Sequence, residues 1–468
     1  MKTRTQLPGT HKVRRDVLGG KRGQGHKLQR EGRRIRRPNP SRIQIRRDDG
    51  GLTGLAGLLE FGEFVQGTGL EKRFNKDFGH LKTGQMVVYP MATQLRLLMD
   101  ANVAGEHRVF GLENLASDPL FVALAGGSVP SVDILYDDLA RFGDDEIVAL
   151  EELMAEVGLQ RLKARKLNSI DVDIDTTVEP LFGRQEGAEP GPNPRYHGRP
   201  SYHPILAYCP QVNAVVGARL RPGNVGLGED DVPTMLAWLK RLRKNVGEDC
   251  CIRVRVDAAG DFTALLKELD SNGFHFIIKA RMTRELVVAI ADQRDWTVVE
   301  HDVETGEATL EVADIPVLRA EWKEQGVKFR FAAARSTERF TGKQLPLWDD
   351  GNLTVQAYVT NDWDNPADLI QSGYDQRAGV EPIIGELKYG WGIGKVPTKL
   401  FNANHAAFLL KALSFNVFRW YIEMVQQHVP ATWRVPWCRR SLICRPGRLV
   451  RGPGRTLLLH MAPPPHTQ

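Results

Sequence analysis

Residues 167–180 read LNSIDVDIDTTVEP, and the period of that stretch decides the fold. Ile170, Val172 and Ile174 fall on one face of an extended chain, and Asp171, Asp173 and Asp175 on the other. Strict alternation is the mark of a β-strand buried on one side. Two further strands follow, HPILAYC (203–209) and NAVVGARLR (213–221), joined by a short Pro-Gln-Val turn. An amphipathic helix (231–246), a fourth strand CIRVRVD (251–257), a helix (262–273) and a fifth strand FHFIIKAR (274–281) complete the run. Three strands, helix, strand, helix, strand predicts a mixed sheet covered by helices, an α/β class.

Upstream the period is different. GLAGLLEFGEFVQ (54–66), TQLRLLMDAN (93–102), DILYDDLARF (133–142) and DEIVALEELMAEV (145–157) repeat apolar residues at three- and four-residue steps. This predicts a helical domain over residues 50–160. The turn at Gly126 and Gly127, with Ser131 as a cap, gives the outline of a helix-turn-helix. Asp133, Asp137 and Asp138 on its second helix would repel phosphates, which favours a packed domain over a groove reader. Downstream, four strand-like stretches between residues 295 and 361 predict a β-rich insertion, splitting the α/β domain into 161–294 and 362–428. A last helix spans 402–425.

Charge is segregated. Residues 1–47 carry 16 Lys/Arg against Asp16 and Glu31, a net of +14, and residues 431–468 carry seven Arg and no acid. The body between them has a net charge of −15. Basic ends of this kind suit a phosphate backbone. The segments 1–49 and 429–468 are therefore expected to be basic tails, both disordered and the second rich in Pro and Gly. No apolar run of membrane-spanning length occurs, and the N-terminus lacks a secretory pattern. Five cysteines without a CxxC pair argue against structural zinc and fit a reducing cytosol.

Asp175 and Asp257 end neighbouring strands on the face away from their apolar residues. Two such carboxylates make a seat for a divalent cation, although either alone is more often a cap or a solvated rim. In YDQRAGVEPIIGELKYG (374–390), Tyr374, Arg377, Glu381 and Lys388 are spaced by three, four and seven residues. On an unbroken helix they share an arc of about 60°. Pro382 departs from that picture. It is tolerated only if a helix begins near Ala378, leaving Tyr374 and Arg377 on the segment before it.

The pattern Y-xx-R-xxx-E-xxxxxx-K resembles the motif around the catalytic glutamate of bacterial insertion-sequence DDE transposases. Asp175-Thr176-Thr177 is similar to their first-aspartate motif. Asp257-Ala258-Ala259-Gly260 stands where Asp-Ser-Gly is usual. The resemblance covers roughly residues 50–425, and the β-rich insertion before the glutamate fits it.

It implies a ribonuclease-H-like catalytic domain in which Asp175, Asp257 and Glu381 bind two Mg²⁺ or Mn²⁺ ions, with Asp173 a rival for the first position. Tyr374, Arg377 and Lys388 would hold DNA phosphates, and Trp322, Trp348 or Trp363 would stack on a flipped base. Implied partners are double-stranded DNA, at the element's terminal inverted repeats and at the target, and a second copy of the chain. The implied location is the bacterial cytoplasm, at the nucleoid. The alternative is a remnant that binds DNA without cutting it.

Overall fold

A computed structural model describes residues 50–191, 197–337, 354–426, 429–430, 433–453 and 456–461. The basic segment 1–49 and Trp348 lie outside the described residues.

The alternating stretch forms strand β1 (Ser169–Thr176). It pairs antiparallel with β2 (Ile205–Cys209), which pairs antiparallel with β3 (Ala214–Arg219). On its other side β1 runs parallel to β4 (Cys251–Val256), and β4 parallel to β5 (His275–Lys279). The order β3-β2-β1-β4-β5 is thus a meander followed by two parallel crossovers, the mixed sheet expected of a ribonuclease-H-like domain. Its crossover helices are α6 (Val232–Val246) and α7 (Thr263–Ser271). Ile170, Val172 and Ile174 face them in one apolar core with Leu239, Leu265 and Leu269.

Helix α8 (Arg284–Asp292) follows β5, and the β-rich segment then continues this sheet. Strands β6 (Thr297–His301), β7 (Ala308–Ile315), β8 (Arg330–Ser336) and β9 (Thr354–Thr360) pair antiparallel in sequence. β9 then pairs with β5, Val359 opposite Ile278. Among the described residues the sheet has nine strands, so the inserted segment shares a hydrogen-bonded edge with the α/β domain.

The helices before β1 are α1 (Leu58–Thr68), α2 (Leu70–Phe78), α3 (Met91–Ala104), α4 (Val132–Leu139) and α5 (Asp144–Arg165). Ser131 sits at the N-cap of α4, but its hydroxyl makes no capping bond. α5 serves two cores: Leu150, Leu153 and Val157 join the helical one, and Ala155, Leu159 and Leu162 the sheet. The long helix α11 (Phe401–Val425) is buried on nearly every side and lies against α3, α5 and β3. A helix buried on nearly every side, its polar residues Asn404, His405, Lys411 and Asn416 included, is one that a core has closed over.

The expectation for residues 429–468 needs correction. Val435, Cys438, Leu442 and Ile443 are buried in the helical core. Residues Gly447–Arg451 pair with both Leu52–Thr53 and Leu457–Met461 in a small sheet. Gly57 marks the closest approach: a Cβ there would lie 1.7 Å from the Leu442 carbonyl oxygen. The Arg- and Pro-rich composition hid the apolar residues at 435, 438 and 442, whose spacing of three and four is helical, and Ile443 beside them. Among the described residues no helix is long and apolar enough to cross a membrane.

Candidate active site

On the polar face of the sheet, β1 and β4 form a ladder of charge pairs. Asp171 is paired across strands with Arg253, and Arg253 Nε lies 2.7 Å from its carboxylate. Asp173 is paired with Arg255, which grips it through Nε at 2.6 Å and Nη2 at 2.9 Å. The last paired residues are Ile174 with Val256, and of Val256 with Ile278 on β5. One position further on, the rungs bring together the strand ends Asp175, Asp257 and Lys279. The Arg that completes the lower rungs is replaced there by a second carboxylate, so this row is where the sheet carries unbalanced negative charge.

Asp175 Oδ1 accepts from the Thr176 amide at 2.8 Å, and Oδ2 lies 2.9 Å from Arg377 Nη2. Burial pushes its carboxyl up to about 6; Arg377 opposes that rise, while Asp257 and Glu381 add to it. Asp257 accepts from the Ala259 amide at 3.0 Å, fixing the turn after β4. Lys279 is pushed below the usual lysine range by burial, with Asp257 pulling it back. Sequence reasoning passed over Lys279, although its place at the end of the strand beside β4 was the available signal.

The motif around Glu381 is a broken helix. α9 (Ala367–Asp375) carries Tyr374, a 3₁₀ turn (Gln376–Gly379) carries Arg377, and α10 (Val380–Gly385) carries Glu381 and Pro382 in its first turn. A π-helical turn (Glu386–Gly390) holds Lys388. Pro382 accounts for the restart, since its missing amide costs nothing in a first turn. The single arc expected for the four residues is therefore not realised. Tyr374 is buried against Tyr358, ring centroids 5.0 Å apart, with the Arg377 guanidinium 6.0 Å from its ring. Lys388 Nζ donates to the Val178 carbonyl at 3.0 Å and meets Glu179 at 3.3 Å. Glu381 is exposed, whereas the nearby Glu386 is buried and paired with Arg419. Only the first is available to a ligand.

Two further expectations separate here. Asp173, committed to Arg255 and almost fully buried, is a structural acid rather than a rival ligand. Trp322 is a core residue, stacked on Phe331 with its indole N–H 3.1 Å from the Thr263 hydroxyl, so it cannot receive a base. Trp363 is 52 % exposed.

Does this set suit a divalent cation? Its donors are carboxylate oxygens, the hard ligands that Mg²⁺ and Mn²⁺ take. Asp175 is held in a buried place whose neighbouring carboxylates outnumber its cation, and a metal ion would relieve that. The Arg377 Nε and Nη2 are also buried without a hydrogen-bond acceptor. Among the described residues no three His, Cys, Asp or Glu side chains stand ready to hold a metal ion as they are. Arg377 lies against one of the three candidates, and a second stands on an exposed turn.

No curated protein matches this chain. Among solved structures, a piggyBac transposase synaptic complex with hairpin DNA matches 82 % of this chain and 79 % of its own, at 13 % identity and a TM-score of 0.44. The Mos1 transposase paired-end complex with the left transposon end matches 42 % and 60 %, at 12 % identity and a TM-score of 0.17. The family model for the transposase DDE domain, group 1, matches residues 37–464, nearly the whole chain. With that span covered, the chain belongs to the DDE transposases.

Proposed function

We propose that this transposase cuts DNA at the terminal inverted repeats of an insertion sequence and joins the ends to target DNA, by a cut-and-paste route. The observation that carries the reading is the strand-end row, where Asp175 and Asp257 come together with Glu381 in electrostatic reach. Asp175, Asp257 and Glu381 would hold two Mg²⁺ or Mn²⁺ ions. When bound, such ions supply charge neutralisation and a more acidic attacking water or 3′-hydroxyl.

The chain's own residues do the positioning. Arg377 has a planar fork for a phosphate and, in the absence of one, rests on Asp175. Lys388 ties the glutamate-bearing segment to residues 178–179, three and four positions after Asp175. It sets the spacing of the two halves of the site and offers a point charge to DNA. Tyr374 backs Arg377 from the apolar side. Of the two candidate tryptophans described, Trp322 and Trp363, the latter, exposed in the segment between β9 and α9, is the one available for stacking on a base. Two element ends must be held together, so a dimer on double-stranded DNA at the nucleoid is the expected working form.

The test is cleavage of a labelled duplex carrying the inverted repeat that flanks the gene, with Mg²⁺, by wild type and Glu381→Ala. Cutting at the repeat boundary by wild type alone, with binding retained by both, establishes the reading. Specific binding without any cutting would instead identify a catalytically inactive DNA-binding remnant. Equal cutting by both proteins would remove Glu381 from the site.

A further inference from the structure

A cavity of about 210 Å³ lies in the helical core, between α3, α4, α11 and the segments 105–112 and 395–397. Leu98, Leu139 and Leu410 give it apolar walls, yet most of its charged groups are cations. Arg108 and Lys395 are exposed at its edge, while Lys411 on α11 is only 4 % exposed. Among the described residues on the wall Glu106 is the one acid, and its carboxylate lies against Gly111, in the space a Cβ there would need.

Lys411 Nζ donates to the Gly392 carbonyl at 2.8 Å and to the Lys395 carbonyl at 2.5 Å. An ammonium has three hydrogens, so one is left for a ligand. Carbonyls satisfy its hydrogen bonds but not its charge, and a buried charge without a counter-ion is costly. Burial brings its pKa down to about 7; Glu179 opposes that fall, and Lys395 and Arg108 deepen it. These cations repel one another across a space that an anion would fill.

His107 supplies the opposite kind of group. Burial, Arg439 and Lys411 bring its pKa down to about 3, so the ring is neutral, and the Gly390 carbonyl is its backbone partner. That carbonyl takes the single ring N–H, and Nδ1 is buried with no partner of its own. A ligand that suits the whole cavity therefore carries negative oxygens for the cations and a hydroxyl hydrogen for Nδ1. Hydrogen phosphate has both at neutral pH, whereas sulfate and a phosphodiester have the oxygens alone.

We propose that this cavity binds hydrogen phosphate, its negative oxygens toward Lys411, Arg108 and Lys395 and its P–OH donating to His107 Nδ1. The volume takes the ion with several waters, each filling about 30 Å³. None of Asp175, Asp257 and Glu381 lines the cavity, but it is linked to them. Between the two carbonyls that Lys411 holds, Gly394 abuts the Glu179 carboxylate, and Glu179 meets Lys388 at 3.3 Å. Occupancy thus fixes the segment that backs the contact between the two halves of the carboxylate site.

The test is calorimetric titration of the full chain, without DNA, using inorganic phosphate, sulfate and dimethyl phosphate at matched ionic strength. One phosphate per chain should bind, and the other two ions at least tenfold more weakly, the scale of one hydrogen bond to a buried acceptor. Arg108→Gln, at the exposed edge, should fold normally and weaken phosphate about tenfold, and Lys411→Met should remove the binding. His107→Leu should bring phosphate and sulfate to the same affinity. Hydrogen exchange at the amides of residues 391–397 should slow when phosphate is bound.

Absence of saturable phosphate binding would overturn the site, as would wild-type affinity in Arg108→Gln. Equal binding of sulfate would reduce it to general charge attraction, and equal binding of dimethyl phosphate would give these cations to the DNA backbone; either result overturns the hydrogen-phosphate assignment. Because no arm contains DNA, failure here is separate from failure of the cutting reaction.

Discussion

The Arg377 guanidinium stands 2.9 Å from Asp175 Oδ2, yet its Nε and Nη2 have no hydrogen-bond acceptor. The contact is one of charge without the alignment of a bidentate pair. A buried donor left unmatched costs roughly 1–3 kcal/mol, so this arrangement favours whatever brings an acceptor. Arg377→Gln should therefore lower kcat/KM for DNA cleavage by roughly 10- to 100-fold, the value of a charge-assisted hydrogen bond. Arg377→Lys should recover only part of it, because an ammonium lacks the planar fork. Single-turnover rates of the three proteins decide this; full activity in Arg377→Gln would mean that the arginine only shields Asp175.

Asp173 and Asp175 share a strand face and should respond in opposite ways. Asp173→Ala leaves the buried Arg255 charge with the Gly373 carbonyl, 2.7 Å from its Nη1, and a longer contact to Asp171 Oδ2 at 3.8 Å. Breaking a buried pair in this way typically costs about 3–5 kcal/mol. Asp175→Asn removes a carboxylate that burial and its neighbours hold at a raised pKa. It should abolish cleavage with a much smaller loss of stability, as expected where function and stability compete. Urea unfolding alongside the cleavage assay separates the two. A stability loss for Asp175→Asn as large as that of Asp173→Ala would recast Asp175 as a structural acid.

Much of this site could be read in the sequence. Alternation in residues 167–180 identified β1, and the Tyr374-Arg377-Glu381-Lys388 spacing singled out the segment opposite. What escaped was register. Asp171, Asp173 and Asp175 precede Arg253, Arg255 and Asp257 by a constant 82 positions, so one alignment of two strands names the structural pairs and the odd rung together. Periodicity is local and carries no such alignment; only parallel pairing of β1 with β4 supplies it. The same gap explains Lys388. Its partner Glu179 is 209 residues away, and nothing near Lys388 distinguishes a clasp from a free cation. The C-terminal segment failed for another reason: its composition argued for disorder, while four apolar residues packed on the helical core were enough to order it.

His405 on α11 predicts an acid limb in stability. Its Nε2 accepts from the Leu220 amide at 3.1 Å, so the ring is neutral with its proton on Nδ1. Burial lowers its pKa from 6.5 to about 3, with Arg219 adding to the fall and Asp144 opposing it. Between those values the unfolded chain takes up a proton that the folded chain refuses. This contribution to stability is complete above about pH 6.5 and is lost as the pH falls toward 3, at up to about 1.4 kcal/mol per pH unit. His405→Gln should flatten that limb in urea midpoints measured from pH 7 down to pH 4. An unchanged slope would show that other groups set the acid limit.

The edge of the sheet is covered by a second side chain of the same helix. Among the described residues β3 is the last strand of the sheet, and no strand lies on the outer side of Val215. Asn416 takes that place: its Oδ1 accepts from the Val215 amide at 2.8 Å, and its Nδ2 donates to the Val215 carbonyl at 2.8 Å and to the Met154 carbonyl at 2.9 Å. The amide thus imitates a neighbouring strand for one residue and ties α5, β3 and α11 together. Asn416→Ala would leave two backbone groups of Val215 buried and unpaired, at about 1–3 kcal/mol each. The expected loss is roughly 2–5 kcal/mol, with faster hydrogen exchange at the Val215 amide. Asn416→Asp keeps an acceptor for the amide but loses both donors and buries a charge, so it should be the worse variant. If both variants unfold at the wild-type midpoint, the edge is held by packing alone.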